Sequence, residues 1–131
     1  MSEWDVYNAY GNRAVLTCVK HVWDVGKSLP FNASYLAEDE YGQKFLYPGM
    51  IVAYNDDETM YVPYNEDGSY GELSSYPVGV NYVLYDCTFR DQIIAPATRA
   101  AVIEAHCFVY GGSLGDISDE VKEALRLIQW D

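Results

Sequence analysis

Two short combinations, Cys18-x-x-His21 and His106-Cys107, are the residues of this sequence best suited by type to hold a metal. Thiolate and imidazole are the usual ligands of zinc, and a Cys-x-x-His spacing makes half of such a site. The spacing must also suit the element that carries it. On an extended strand, residues three apart point to opposite faces, as do direct neighbours. At most one ligand of each pair then reaches a common centre, so buried thiols and ordinary histidines are expected in place of zinc. Hard-oxygen chemistry is the second option. Asn55-Asp56-Asp57-Glu58 and Asn65-x-Asp67-Gly68-Ser69 offer carboxylates and amides, but neither has the spacing of a twelve-residue calcium loop. Their composition is that of turns, and no metal or other cofactor is expected. Gly111-Gly112-Ser113-Leu114-Gly115 lacks the lysine of a phosphate loop, and no nucleophile elbow occurs. An enzyme is therefore not expected.

The elements that would position these residues read as mainly β. Val15 to Val25 alternates Val15, Thr17, Val19, His21, Trp23 and Val25 on one side and predicts a strand. Met50–Tyr54 and Thr59–Tyr64, joined by Asn55–Glu58, predict a hairpin whose Pro63 belongs at an edge or strand end. Val78 to Phe89 predicts another strand. Ala97 to Tyr110 alternates as a strand would, although its alanines also suit a helix; strand is favoured because Cys107-Phe108-Val109-Tyr110 is β-rich. Ser118 predicts the cap of one helix from Asp119 to about Gln129, with Val121, Ala124, Leu125 and Ile128 as its apolar stripe.

Composition bounds the function. The chain has 131 residues, 8 basic and 20 acidic, for a formal charge of −12. That length predicts one domain. So acidic a chain does not suit nucleic acid, whose phosphates need clustered Lys and Arg. No stretch approaches the run of about 20 apolar residues that spans a membrane, and neither a nucleic acid nor a membrane is an expected partner. The first residues, MSEWDVYNAY, show no basic and apolar leader pattern, so no signal peptide is expected, and three cysteines suggest free thiols. The charge is uneven: residues 49–89 carry −7 and contain no Lys or Arg. Seven tyrosines lie in the same block, Tyr54, Tyr61, Tyr64, Tyr70, Tyr76, Tyr82 and Tyr85. Tyrosine joins a large apolar ring to a polar tip and suits a protein interface or a sugar-stacking face. It is equally an ordinary strand residue.

The order of several weak motifs resembles the tailed-bacteriophage head decoration proteins, the class that includes the lambda capsid-stabilising protein. Glu38-Asp39-Glu40-Tyr41-Gly42-Gln43 is similar to the polar loop of that family, ahead of the strand Pro48-Gly49-Met50-Ile51-Val52-Ala53-Tyr54. Tyr61-Val62-Pro63-Tyr64, Gly79-Val80-Asn81-Tyr82-Val83-Leu84 and Asp86-Cys87-Thr88 follow, then Phe108-Val109-Tyr110, a Gly-rich loop and Val121–Ile128. The likeness runs from about residue 36 to 130. Met50 departs from the small hydroxyl residue of the pattern, and Asn81 with Tyr82 stretches the Gly-x-Leu strand.

The resemblance implies a compact β-rich domain of tulip or barrel type over residues 14–131, with one short C-terminal helix and an extended N-terminal arm over 1–13. It implies a homotrimer, made in the host cytoplasm, that stabilises the virion from the outer capsid surface. The partner would be the major capsid protein, gripped at local three-fold positions of the expanded head. Trp4, Val6, Tyr7 and Tyr10 are the expected capsid contacts of the arm, whose alternation permits strand addition. Tyr54, Tyr61 and Tyr64 are the candidate trimer or partner contacts. A Tyr-rich module binding a glycan or another ligand, free or on a virion attachment fibre, is the alternative.

Overall fold

The strands of this acidic chain are mostly short and antiparallel, and many backbone groups find their hydrogen-bond partners in turns and loops. The computed structural model describes residues 16–131, and the proposed arm (1–13) lies outside the described residues. Its strands are β1 (Val19–Val25), β2 (Leu29–Pro30), β3 (Phe45–Leu46), β4 (Ile51–Tyr54), β5 (Tyr61–Pro63), β6 (Pro77–Val80), β7 (Tyr85–Asp86), β8 (Ile93–Ile94), β9 (Ala97–Val102) and β10 (Ile128–Trp130). Among the described residues there is one α-helix, α1 (Asp119–Ala124), which precedes β10. The chain is mainly β and forms a single compact domain, as its sequence predicts.

The main sheet runs β1-β9-β6-β4-β5, and β10 adds in parallel to β9. Two small antiparallel pairs, β2 with β8 and β3 with β7, flank it. The predicted hairpin is present: β4 and β5 are antiparallel, with Val52 opposite Pro63 and Tyr54 opposite Tyr61. Asn55 holds its loop, accepting from the amides of Thr59 at 2.9 Å and Met60 at 3.0 Å. Pro63 sits on β5 at one end of the sheet, where its missing N–H costs no ladder bond.

Three sequence expectations are corrected. The Ala97–Tyr110 strand stops at Val102, and Glu104–His106 form a 3-10 turn. The last inter-strand bond is Ile103 N–H to Cys18 O at 2.7 Å, after which the amide of Glu104 turns to Asp131 O. The strand expected from Val78 to Phe89 breaks at Asn81, leaving β6 and β7 as separate pieces. Finally, α1 ends at Ala124, not near Gln129, and Ile128–Trp130 pair with Ala100–Val102. Of the expected stripe, Val121, Leu125 and Ile128 enter the core, whereas Ala124, at the end of α1, is exposed. Leu125 leaves helical geometry (φ −99°, ψ 58°), and β10 buries Ile128 while filling open ladder positions on β9. Ser118 caps α1 as predicted, accepting from Val121 N–H at 3.3 Å.

Two cores sit on the sheet. One gathers Ile51, Val62, Val80, Ala100, Val102 and α1's Val121 with Cys18 and Cys107. The other gathers Phe31, Leu46, Met50, Val52, Tyr61, Ile94 and Phe108 with Cys87. Gly49, just ahead of β4, makes a close backbone approach. At φ +99° it adopts a conformation that L side chains rarely enter, and an added Cβ would collide with His106 O.

Candidate partner-binding surfaces

The four metal-ligand candidates do not converge on one centre once folded. Cys18 and Cys107 meet in the first core, where Cys18 Sγ lies 3.6 Å from Asn81 O and Cys107 Sγ 3.4 Å from Ile103 O. A hydrogen bond between the two thiols lowers the Cys18 pKa and raises that of Cys107. His21 is instead exposed on β1, packed edge-on to Trp23 with 4.8 Å between ring centroids. His106 places Nδ1 2.8 Å from Thr17 O. Among the described residues no three His, Cys, Asp or Glu side chains gather as a metal site.

The acidic loops use their oxygens locally. Asn65 Oδ1 accepts from the amides of Asp67 and Ser69, and Asp56 Oδ1 accepts from Leu73 N–H at 3.0 Å. Asp57 is bonded by the Thr59 hydroxyl at 2.7 Å, which lowers its pKa. All seven acidic side chains of residues 49–89 are exposed.

The candidate tyrosines divide by burial. Tyr61 has no exposed surface, and its hydroxyl donates to Lys27 O at 2.7 Å. Tyr64 is buried in the first core. Neither ring can meet a partner without opening the fold. Tyr54 is half-buried, stacked on Tyr61 at 5.3 Å with Lys27 Nζ 5.7 Å from its ring centre. Of the three, Tyr54 alone keeps surface for a contact. The reason is the hairpin: β5 lies between the two cores, and its alternating side chains are buried on both faces.

The large apolar groups in water are others. Phe89 is 96% exposed, Ile93 66%, Trp23 49% and Val25 46%. The sequence carries the expected strand through to Phe89. Asp86 prevents that, because its Oδ1 accepts from both the amide (3.0 Å) and hydroxyl (2.6 Å) of Thr88. This Asx turn ends β7 and directs Phe89 outward. The Asp-x-Thr pattern was the available sign.

A shallow concave surface lies by the hairpin loop. Tyr35 and Tyr70, 4.7 Å apart, wall a cleft of about 510 Å³ with Asn55, Asp56, Asp57 and Ser69. Trp4, Val6, Tyr7 and Tyr10 lie outside the described residues. Comparison of the chain with family models, with curated proteins and with solved structures finds no match in any of the three.

Proposed function

We propose that this chain is a capsid decoration protein that binds the outer surface of an expanded phage head as a trimer and stabilises the shell without catalysis. One observation carries the reading beyond the motif resemblance. A small acidic β-domain leaves Phe89 almost wholly in water at a loop tip, with Ile93 exposed nearby in sequence. Aromatic rings are prominent among the anchors that carry protein–protein binding energy, and Phe89 is free to serve as one. The rest of the surface is consistent with this polarity. Carboxylates crowd the hairpin and 65–75 loops, where like charge keeps a crowded particle soluble.

The work of such a protein is binding free energy. Burying apolar area against the shell contributes about 25 cal/mol per Å² before the costs of association. In a trimer, one engaged protomer holds the other two at high effective concentration, so weak contacts sum to a durable attachment. Co-sedimentation with expanded, undecorated heads of the phage that encodes the chain tests the reading. Saturable binding is expected, and heads that never retain the protein overturn it. In the same assay Phe89→Ser should weaken binding by about tenfold or more while leaving the fold intact.

The cleft walled by Tyr35 and Tyr70 supports a second reading, a glycan-binding module. Two rings beside amide and carboxylate oxygens suit a sugar's apolar face and hydroxyls. Glycan-array binding without head binding would favour it.

A further inference from the structure

We propose that β1 pairs antiparallel with β1 of a second copy of this chain, about a two-fold axis at Val22. β1 stands at one end of the main sheet, and among the described residues no strand lies along its outer edge. Five of its seven residues are exposed, including Trp23 and Val25. The opposite end of the sheet is protected differently: β5 is fully buried, carries Pro63 and is bridged by Phe31. An exposed edge strand without proline is a template for another strand.

The sequence of β1, Val-Lys-His-Val-Trp-Asp-Val, identifies the occupant. Centred on Val22, self-pairing brings Lys20 of each copy opposite Asp24 of the other. It sets His21 opposite Trp23 and Val19 opposite Val25, with Val22 on Val22 at the axis. Every cross-strand position is then an opposite-charge, aromatic or β-branched pair, the combinations that favour pairing. Sliding the register by two residues sets Val22 against Lys20 or Asp24 and leaves the charges unmatched. The present partners of these charges are easily exchanged. Lys20–Asp131 at 3.3 Å and Arg99–Asp24 at 3.9 Å are surface pairs, worth little in water. Three register irregularities lie within β1's pairing with β9, between Val19 and His21, Val22 and Asp24, and Asp24 and Val25; kinks of this kind limit how far a regular ladder on its outer edge can run.

A two-fold contact uses the same patch on both copies, whereas a ring of three uses two different patches. In a decoration trimer, β1 pairing would therefore tie one trimer to its neighbour. Only that placement rests on the capsid reading; the pairing itself does not.

Sedimentation of the full chain over a concentration series, up to its solubility limit, tests the pairing. The expected result is a reversible doubling of mass with increased amide protection over Val19–Val25. K20D sets carboxylate against carboxylate at both ends of the pairing and should weaken doubling by about tenfold or more. D24K makes the converse clash and serves if K20D does not fold. The double variant K20D/D24K restores opposite charges and should restore doubling. A wild-type chain that never doubles, a doubling indifferent to either single variant, or a double variant that stays undoubled overturns the proposal. Head binding is scored separately, so failure here is distinct from failure of the capsid reading.

Discussion

Asn81 shows how one side chain can hold several turns of backbone. It is buried, and its Nδ2 donates to Tyr47 O at 3.0 Å and Val83 O at 2.8 Å. Its backbone amide bonds Met50 O, and its own carbonyl accepts from Gly49 N–H at 2.7 Å. Asn81→Ala would orphan two carbonyls and should cost about 2–3 kcal/mol in denaturant unfolding. In the sequence Asn81 reads only as an interruption of a strand, because a bracket between distant segments leaves no periodic trace. The strand was carried on to Phe89 for a related reason, since residue type alone cannot report that an Asx turn has ended it. The buried phenols give a pH prediction. Burial raises the pKa of Tyr61, Tyr64 and Tyr85, with neighbouring Tyr54 adding to Tyr61 and Glu66 to Tyr64. Each ring binds its proton more tightly when folded, so this stability is complete below about pH 10 and is lost as pH rises beyond it. The tyrosinate absorbance owed to these three rings, isolated by comparison with Phe variants at each, should therefore appear only together with loss of circular dichroism in alkali. Ionisation of these three rings while the fold persists would contradict the assignment.

At the scale of elements, the C-terminal segment separates two kinds of information. The expected stripe identifies Val121, Leu125 and Ile128 as buried but also Ala124, which is exposed, and it does not decide between a longer helix and a turn followed by a strand. The choice depends on β9, which offers ladder positions that no local window reveals. Ile128→Ala should cost about 2–4 kcal/mol, whereas Leu127→Ala, exposed beside it, should stay within about 0.5 kcal/mol. Equal losses would argue against the observed register. The β4–β5 hairpin was fully legible, because period-two strands and a polar connection are local signals. The Ala-rich strand β9 was legible only in its first half. Beyond Val102 the alternation continues in type, but Ile103 turns the chain, and Cys107 meets Cys18 at the end of that turn rather than along a ladder. Gly49 is another tertiary demand: Gly49→Ala should destabilise severely, since the new methyl would meet the His106 carbonyl.

For the whole molecule, the sequence made the charge distribution legible, and the fold sets the acidic loops in solvent. It did not reveal which aromatic rings stay outside, because burial is decided by packing between elements distant in sequence. Tyr61 and Tyr64 became core, while Phe89 and Trp23 became surface. The decoration reading then predicts two distinct attachments, the segment 1–13 and the exposed apolar groups. Removing residues 1–13 should weaken head binding while leaving thermal unfolding of the remaining domain unchanged; unaltered affinity would remove the arm from the account. The most direct measurement is a reconstruction of expanded heads incubated with the protein, compared with bare heads. The account predicts added density on the outer surface at local three-fold positions, in groups of three with Phe89 against the shell. Heads without added density, or density placed elsewhere on the virion, would contradict it.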